Sequence, residues 1–336
     1  MDFFRASLRA FPKRVAIACL LAGALTLTGV VGVNALFNQK LDQINRVKVT
    51  TAPPPPKGAN FLLIGSDSRK FVQGDVAKNA FGDQGTAGGQ RSDTMMVVHV
   101  EPGAQRSLIV SFPRDLWVNI PGVGMSKINS AFNSGPDKVI QTLKANFDID
   151  INHYLEVDFK SFEGIVNAIG RVPVYFPQSA RDLKSDLTIA FPGCAPLDGA
   201  EALSYVRSRA LEYYDVQQKR GVLADSVPDI GRIGRQQAFI RRLLSLAVQR
   251  SLNNPLTANE VADNVVKNLT ADQGLSRGDV NQLIRAFRTV DANDPGSVEM
   301  VTLPWKDGPK QAGQQVLYPK EPDAEQMLAR LRTFQA

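Results

Sequence analysis

Apolar positions along the chain fall into runs of two kinds. Short, largely Val-rich stretches have few polar interruptions: FLLIG (61–65), TMMVVHVE (94–101), SLIVSF (107–112) and LWVNI (116–120), then HYLEVDF (153–159) and VPVYFP (172–177). Near-continuous apolar runs of this length predict strands covered on both faces, since a half-exposed strand alternates apolar with polar positions. Longer segments repeat apolar residues at helical spacing and predict helices at 136–146, within KSFEGIVNAIG (160–170), and at 198–206, 229–252, 257–269, 276–290 and 321–334. Strands mixed with helices predict an α/β chain, an α/β/α sandwich around a central mixed sheet. EPGAQR (101–106) is a turn, so 94–101 and 107–112 form an antiparallel hairpin. If 61–65 also runs antiparallel to 94–101, the end of the first strand, the start of the second and the end of the third meet at one sheet edge.

Residues 15–37, VAIACLLAGALTLTGVVGVNALF, carry no charged side chain, and about 20 such residues suffice to cross a bilayer as a helix. The preceding residues 1–14 hold Arg5, Arg9, Lys13 and Arg14 against Asp2 alone. The expected topology is one membrane pass, a cytoplasmic N-terminus and an extracytoplasmic body. The rival reading is a cleaved signal peptide ending at Val33–Ala35, but cleavable apolar regions are usually about 7–15 residues long. Residues 38–57 read as a juxtamembrane linker containing the stiff TAPPPPK, and residues 58–336 as the folded body, with no room for a second full domain beyond a strand and helix at 297–334.

Composition adds limits. Hydrophobic residues make up 43% of the 336, which excludes wholesale disorder. The formal charge is +6, half of it from the first fourteen residues, so a nucleic-acid partner is not expected. Cys19 and Cys194 are too far apart in a spanning topology to pair, and His99 and His153 form neither a metal cluster nor a catalytic triad. GDQGTAGG (82–89) lacks the Lys and the strand–loop–helix setting of a phosphate-binding loop.

Charge collects where the buried strands stop. The shared edge receives Gly65, Ser66, Asp67, Ser68 and Arg69 from one strand, Arg91, Ser92, Asp93 and Thr94 from the next, and Arg114 and Asp115 from SFPRDLW (111–117). Arg207 and Arg209 in SYVRSR point the same way only if that segment is extended. Arg232 and Arg235 in PDIGRIGRQQAF share one face of a helix capped by Asp229. Arginine's planar fork matches phosphate oxygens, and aspartates near phosphates commonly hold Mg²⁺. Arginines beside two aspartates, without histidine, fit a pyrophosphate site. Outside the cell, where ATP is lacking, a lipid-linked donor is the expected pyrophosphate source.

FLLIGSDSR, RSDTMMVVHVEP, SFPRDLWVNIPG, KINSAF, LDGAEALSYVRSR and DIGRIGRQQAF, in that order behind a single apolar segment, resemble the LytR-CpsA-Psr family over roughly residues 58–250. RALEYYD (209–215) resembles actinobacterial members in particular. The resemblance implies an α/β sandwich with an apolar pocket for a polyprenyl chain. It also implies an extracytoplasmic, Mg²⁺-dependent phosphotransferase, with Mn²⁺ as a substitute ion and pyrophosphatase activity beside transfer. Its partners are a polyprenyl-pyrophosphate-linked glycopolymer, peptidoglycan with its muramic acid 6-hydroxyl, and the membrane lipid; arabinogalactan is the expected polymer by analogy with actinobacterial members. Carried over residue by residue, Asp67 and Asp93 are the metal positions. Asp67, Asp93 and Arg114 are the catalytic set, and Arg114, Arg207, Arg209, Arg232, Arg91 and Arg235 bind pyrophosphate. Asp115, Arg69 and Gln236 also fall in the motifs, Asp115 as an orienter of Arg114. Whether Asp67 or Asp93 takes the acceptor's proton stays open; the 209–229 segment, longer than in many members, reads as a mobile loop covering the site, with its effect on substrate choice open. Val157, Phe159, Phe162, Ile165, Ile169 and Phe176 could line the lipid pocket, but each reads better as ordinary core. Two other classes compete: a non-catalytic carrier-binding scaffold, which needs the arginines but not the aspartates, and a membrane-bound transcriptional attenuator, for which residues 1–14 are too few to fold as a DNA-binding domain.

Overall fold

Strands with apolar middles and polar ends build a sheet whose edge is chemically distinct from its faces. The structure, a computed structural model, describes residues 43–55, 58–66, 92–100, 107–215, 217, 219–253, 263, 266–267, 269–287, 298–311 and 313–333. Strands β1 (Asn45–Val47), β2 (Ala59–Ser66), β3 (Ser92–Val100) and β4 (Ser107–Ser111) are followed by the hairpin β5 (Trp117–Ile120) and β6 (Gly124–Lys127), a 3₁₀ segment (Ile128–Ser134) and helix α1 (Pro136–Phe147). β7 (His153–Asp158) leads into α2 (Phe159–Ile169), whose start is capped by the Asp158 carboxylate accepting from the Ser161 amide. The small strands β8 (Val172–Phe176), β9 (Ala180–Asp182), β10 (Leu187–Ile189) and β11 (Gly193–Leu197) precede α3 (Gly199–Arg207). β12 (Glu212–Asp215) and β13 (Arg220–Leu223) precede the long helix α4 (Pro228–Asn253). Then come β14 (Thr270–Asp272), α5 (Arg277–Phe287), β15 (Glu299–Thr302), β16 (Trp305–Asp307), β17 (Leu317–Pro319) and α6 (Asp323–Arg332).

The central sheet has seven strands in the order β1-β14-β7-β2-β3-β4-β15. β3 runs antiparallel to both β2 and β4, while β7 is parallel to β2 and β15 to β4. The sheet is therefore mixed, and the ends of β2, β4, β7 and β15 gather with the start of β3 along one edge. The register pairs Ser66 with Ser92 and Met96 with Ser111, as the hairpin argument requires. Both faces are covered, as the unbroken apolar runs predict. Leu62, Ile64, Met95, Val97, Leu108 and Val110 share one face. They join one buried cluster with Ile128, Phe132, Val139, Leu143, Phe147, Leu328 and Leu331 from the 3₁₀ segment, α1 and α6. On the opposite face the Ser107 hydroxyl reaches the Ala286 carbonyl of α5, and Gln237 of α4 donates through Nε2 to Ser111 Oγ at 2.9 Å and Thr302 Oγ1 at 3.2 Å. One glutamine thus ties α4 to the ends of β4 and β15. A second apolar cluster, with Val166, Val174, Phe176, Leu203, Val206 and Phe239 among its members, joins α2, α3 and α4 to the small strands.

Three expectations change. The sheet begins before Gly58, because β1 already pairs parallel with β14 and the Ala52 amide donates to the Ile151 carbonyl; the chain divides at Gln43/Ile44. The 209–229 segment is not a loose cover: β12 and β13 form a hairpin, and β12 pairs with β9. Asp229 is not the cap of α4; it lies inside the first turn. Residues 15–37 and most of 257–269 lie outside the described residues. Among those described, no helix is long and apolar enough to cross a membrane.

Gln237→Ala removes both bonds and leaves two edge hydroxyls without this partner. Urea unfolding is expected to show a loss of about 1–2 kcal/mol.

Candidate active site

Three guanidinium groups close on one carboxylate. Arg114 Nη2 lies 3.2 Å from Asp229 Oδ2, Arg209 Nε 3.2 Å from Oδ1, and Arg232 Nη2 3.3 Å from the same Oδ1. Arg114 follows β4, whose chain turns at Pro113 with the Leu116 amide donating back to the Pro113 carbonyl. Asp229 and Arg232 stand three apart at the start of α4, where a carboxylate is also favoured by the helix dipole. The Arg232 side chain is buried, 2% exposed. Asp115 extends the cluster: its Oδ2 lies 3.5 Å from Arg114 Nε, and its Oδ1 takes Lys127 Nζ at 2.7 Å.

The segment carrying Arg207 and Arg209 is held from two sides. Arg207 is the last residue of α3 and Ser208 caps that helix, so the two arginines diverge. Arg207 lies over the Phe159 ring, 4.3 Å from its centroid, while Arg209 turns to Asp229. Beneath them the buried Asp182 carboxylate accepts from the Ser208 hydroxyl at 2.6 Å and from the amides of Arg209 at 3.0 Å and Ala210 at 2.8 Å. From α4, Arg235 donates to the Ser208 carbonyl at 2.6 Å and pairs with Asp225, and Gln236 donates to the Val206 carbonyl at 3.1 Å. Arg235 is therefore a brace for the loop and does not share Asp229 with the others.

Electrostatics follow from this layout. Burial opposes ionisation of Asp229, but the charges of Arg232, Arg114 and Arg209 outweigh it and hold the carboxyl below its usual range. Burial likewise opposes the Asp182 charge, and the hydrogen bonds from Ser208, Ala210, Lys184 and Arg209 win, again lowering the pKa. Within the described cluster the cations outnumber the carboxylates. Forked cations gathered in one partly buried place suit a multiply charged anion with oxygens at several angles.

The sequence expectations are met unevenly. Arg114, Arg209 and Arg232 converge, and Arg207 flanks them. Asp67, Arg69 and Arg91 lie outside the described residues, and of Asp93 only the backbone is described, in β3, at the edge where Ser92 pairs with Ser66. Sequence reasoning missed Asp229 as the shared counter-charge, although the Asp-x-x-Arg spacing carried the signal. It also missed Asp182 and Lys127. Asp182 lies far along the chain from Arg209 and gives no local sign of its role. Among the described residues no three His, Cys, Asp or Glu side chains gather to hold a metal ion, and Asp115 and Asp229 are both engaged by cationic side chains.

Comparison with known proteins follows the same outline. The LytR_cpsA_psr family profile matches residues 30–333. The chain is 34% identical over 278 residues to a probable cell wall biosynthesis protein, LcpB, of Corynebacterium glutamicum, covering 78% of this chain and 62% of that protein. It is 31% identical over 225 residues to the polyisoprenyl-teichoic acid–peptidoglycan teichoic acid transferase TagU of Oceanobacillus iheyensis, covering 65% of this chain and 60% of the relative. The chain thus spans less than two thirds of the length of these relatives. Its fold matches the LytR-Csp2A-Psr enzyme from Actinomyces oris with a TM-score of 0.66 at 24% identity, over 86% of this chain and 96% of that one.

Asp182→Asn keeps the shape and removes the charge under Ser208–Ala210. Urea unfolding at pH 7 is expected to show a loss of about 2–3 kcal/mol. Because the folded pKa of Asp182 lies below the unfolded value, about 3.9, its charge stabilises the fold above that value. This contribution is lost as pH falls through the folded pKa, so the gap between variant and wild type closes in strong acid.

Proposed function

This chain belongs to the LytR_cpsA_psr family, and on that premise we propose that it transfers a glycopolymer from a polyprenyl-pyrophosphate carrier onto peptidoglycan. The observation that carries the reading is the sharing of Asp229 by Arg114, Arg209 and Arg232 at the edge where the strands end. A pyrophosphate fits there, its oxygens meeting the planar forks of these arginines. Arg207, lying over Phe159, sets a cation at the border between this rim and the second apolar cluster. Phe159 and Phe162, packed against that cluster, mark the side on which the polyprenyl tail leaves the rim.

In the proposed reaction an acceptor hydroxyl, the muramic acid 6-hydroxyl, attacks the phosphorus that bears the glycan. A new P–O bond forms, the bond to the bridging pyrophosphate oxygen breaks, and polyprenyl phosphate departs. The hydroxyl proton leaves to a carboxylate of this edge or to water. Phosphoryl transfer needs mainly positioning and charge neutralisation. The arginines provide both, Asp229 and Asp115 fix their directions, and Lys127 restrains Asp115. Asp67 and Asp93 are the residues we propose to hold Mg²⁺, with Mn²⁺ as a substitute; when bound it supplies further neutralisation of phosphate oxygens. The proposed setting is a single membrane pass at 15–37 with residues 38–336 outside the cell. Arabinogalactan is the proposed polymer, on the strength of the RALEYYD likeness to actinobacterial members.

The full chain in detergent, given geranylgeranyl pyrophosphate, is expected to release phosphate only with Mg²⁺ or Mn²⁺. Arg114→Ala and Asp93→Ala are each expected to slow release by about 100-fold or more. Tight binding of the lipid without turnover, unchanged in Asp93→Ala, would replace this reading with a carrier-binding scaffold.

A further inference from the structure

Arg114 and Asp115 form one wall of a second feature, a cleft of about 370 Å³. Its remaining walls include Trp117, Lys127, Asn129, Asn133, Gln311 and Gln314. Asp229, Arg209, Arg232 and Phe159 take no part in them, so the cleft leaves the rim in a direction of its own. The walls hang on the short stretch that carries Arg114. The Asn129 amide donates to the Arg114 carbonyl at 3.2 Å, Ile128 to Leu116 at 2.8 Å, and Leu317 to Asp115 at 3.0 Å. Trp117 and Lys127 are cross-strand partners in the β5–β6 hairpin. Gln311 and Gln314 exchange backbone hydrogen bonds of 3.0 and 2.9 Å, which sets their loop.

The scaffold is thus satisfied, yet the side chains facing the cleft keep unused capacity. The amides of Asn129, Asn133 and Gln314 make no hydrogen bond to a described residue, and Trp117 stacks on no described ring. The charges on its walls are all paired: Asp115 with Lys127 and Arg114, and Arg114 also with Asp229. An indole, several amides and no unpaired charge do not suit a second phosphate or an acyl chain. They suit a sugar: its C–H face lies on the indole, and its hydroxyl and acetamido groups exchange hydrogen bonds with amides that both donate and accept.

Resting on the phosphotransferase reading, we infer that this cleft is the acceptor subsite, holding an N-acetylated, β-linked glycan next to the reacting phosphate. In-line displacement requires the attacking oxygen to enter opposite the leaving group. The lipid phosphate departs on the Phe159 side of the rim, and the cleft opens from the rim by way of Arg114. Trp117 supplies the stacking surface, and Asn129, Asn133 and Gln314 set the register of the sugar.

The test uses the full chain in detergent with chitotetraose as the glycan probe, followed by calorimetry. Wild type is expected to bind it. Trp117→Ala is expected to weaken binding 10-fold or more, and Asn133→Ala and Gln314→Ala about 3- to 10-fold each. The latter two alter exposed side chains, so their thermal melts show whether any loss comes from unfolding. Chitotetraose is expected to bind unchanged when geranylgeranyl pyrophosphate, or a polyprenyl pyrophosphate bearing one N-acetylated sugar, already saturates the rim. Displacement by the sugar-bearing donor but not by the sugarless one would overturn the assignment, because the cleft would then hold the donor's own sugar. Equal affinity in wild type and all three variants that keep their melting temperature would overturn the cleft as a site at all. Glycan binding that depends on Trp117 in a protein that never releases phosphate would uphold the cleft and reject the transferase reading.

Discussion

Guanidinium groups repel one another, and gathering three of them at the end of a buried sheet is tolerable only around a counter-charge. Asp229 is that charge. It sits in the first turn of α4, receives Arg232 from its own helix, Arg209 from beyond α3 and Arg114 from the end of β4. Three separate parts of the chain are therefore registered against one carboxylate. Much of the surrounding structure serves to keep them there: Gln237 fixes α4 to the strand ends, Asp182 supports the backbone under Arg209, and Arg235 grips the Ser208 carbonyl. Ion pairs of this kind add little net stability once desolvation is counted. Their role is geometric, holding forked donors at fixed angles before any anion arrives.

Much of this fold could be read along the chain. Strands covered on both faces announce themselves by unbroken apolar runs, and β2, β3 and β4 fall within about two residues of where the pattern puts them. Their antiparallel order follows from one turn, and the edge that collects charge follows from that order. The small strands were not legible. β9, β10, β12 and β13 are three or four residues long, too short for alternation to show, and each exists because a neighbour supplies its partner. β1 was hidden for the same reason: Asn-Arg-Val has no strand signature until β14, more than two hundred residues away, offers an edge.

At the site the division is similar. Arg114, Arg209 and Arg232 were visible because a cation at a strand end or a regular helix spacing is a local signal. Arg235 carried the same signal and took a different role, since Asp225 lies within its reach. Asp182 could not be found at all, because a buried carboxylate with four donors looks in sequence like any turn aspartate. Counter-charges and braces are defined by what the fold brings to them.

The hairpin β12–β13 leaves and rejoins the rim between two clamped points. Asp182 fixes the chain at Arg209 and Ala210, and Arg235 fixes it again at Asp225. Between them β12 is also paired with β9 and Leu211 is buried in the second apolar cluster, so the freedom of the span lies toward its turn. Closing a longer loop between fixed ends costs only about 0.6 kcal/mol per doubling of length. The turn of the hairpin can therefore lengthen, and exposed residues such as Tyr214 and Leu223 can change, while the clamped ends keep their places. In this protein the span from Arg209 to Asp225 carries exposed side chains at its far end while both of its ends are anchored beside the arginines.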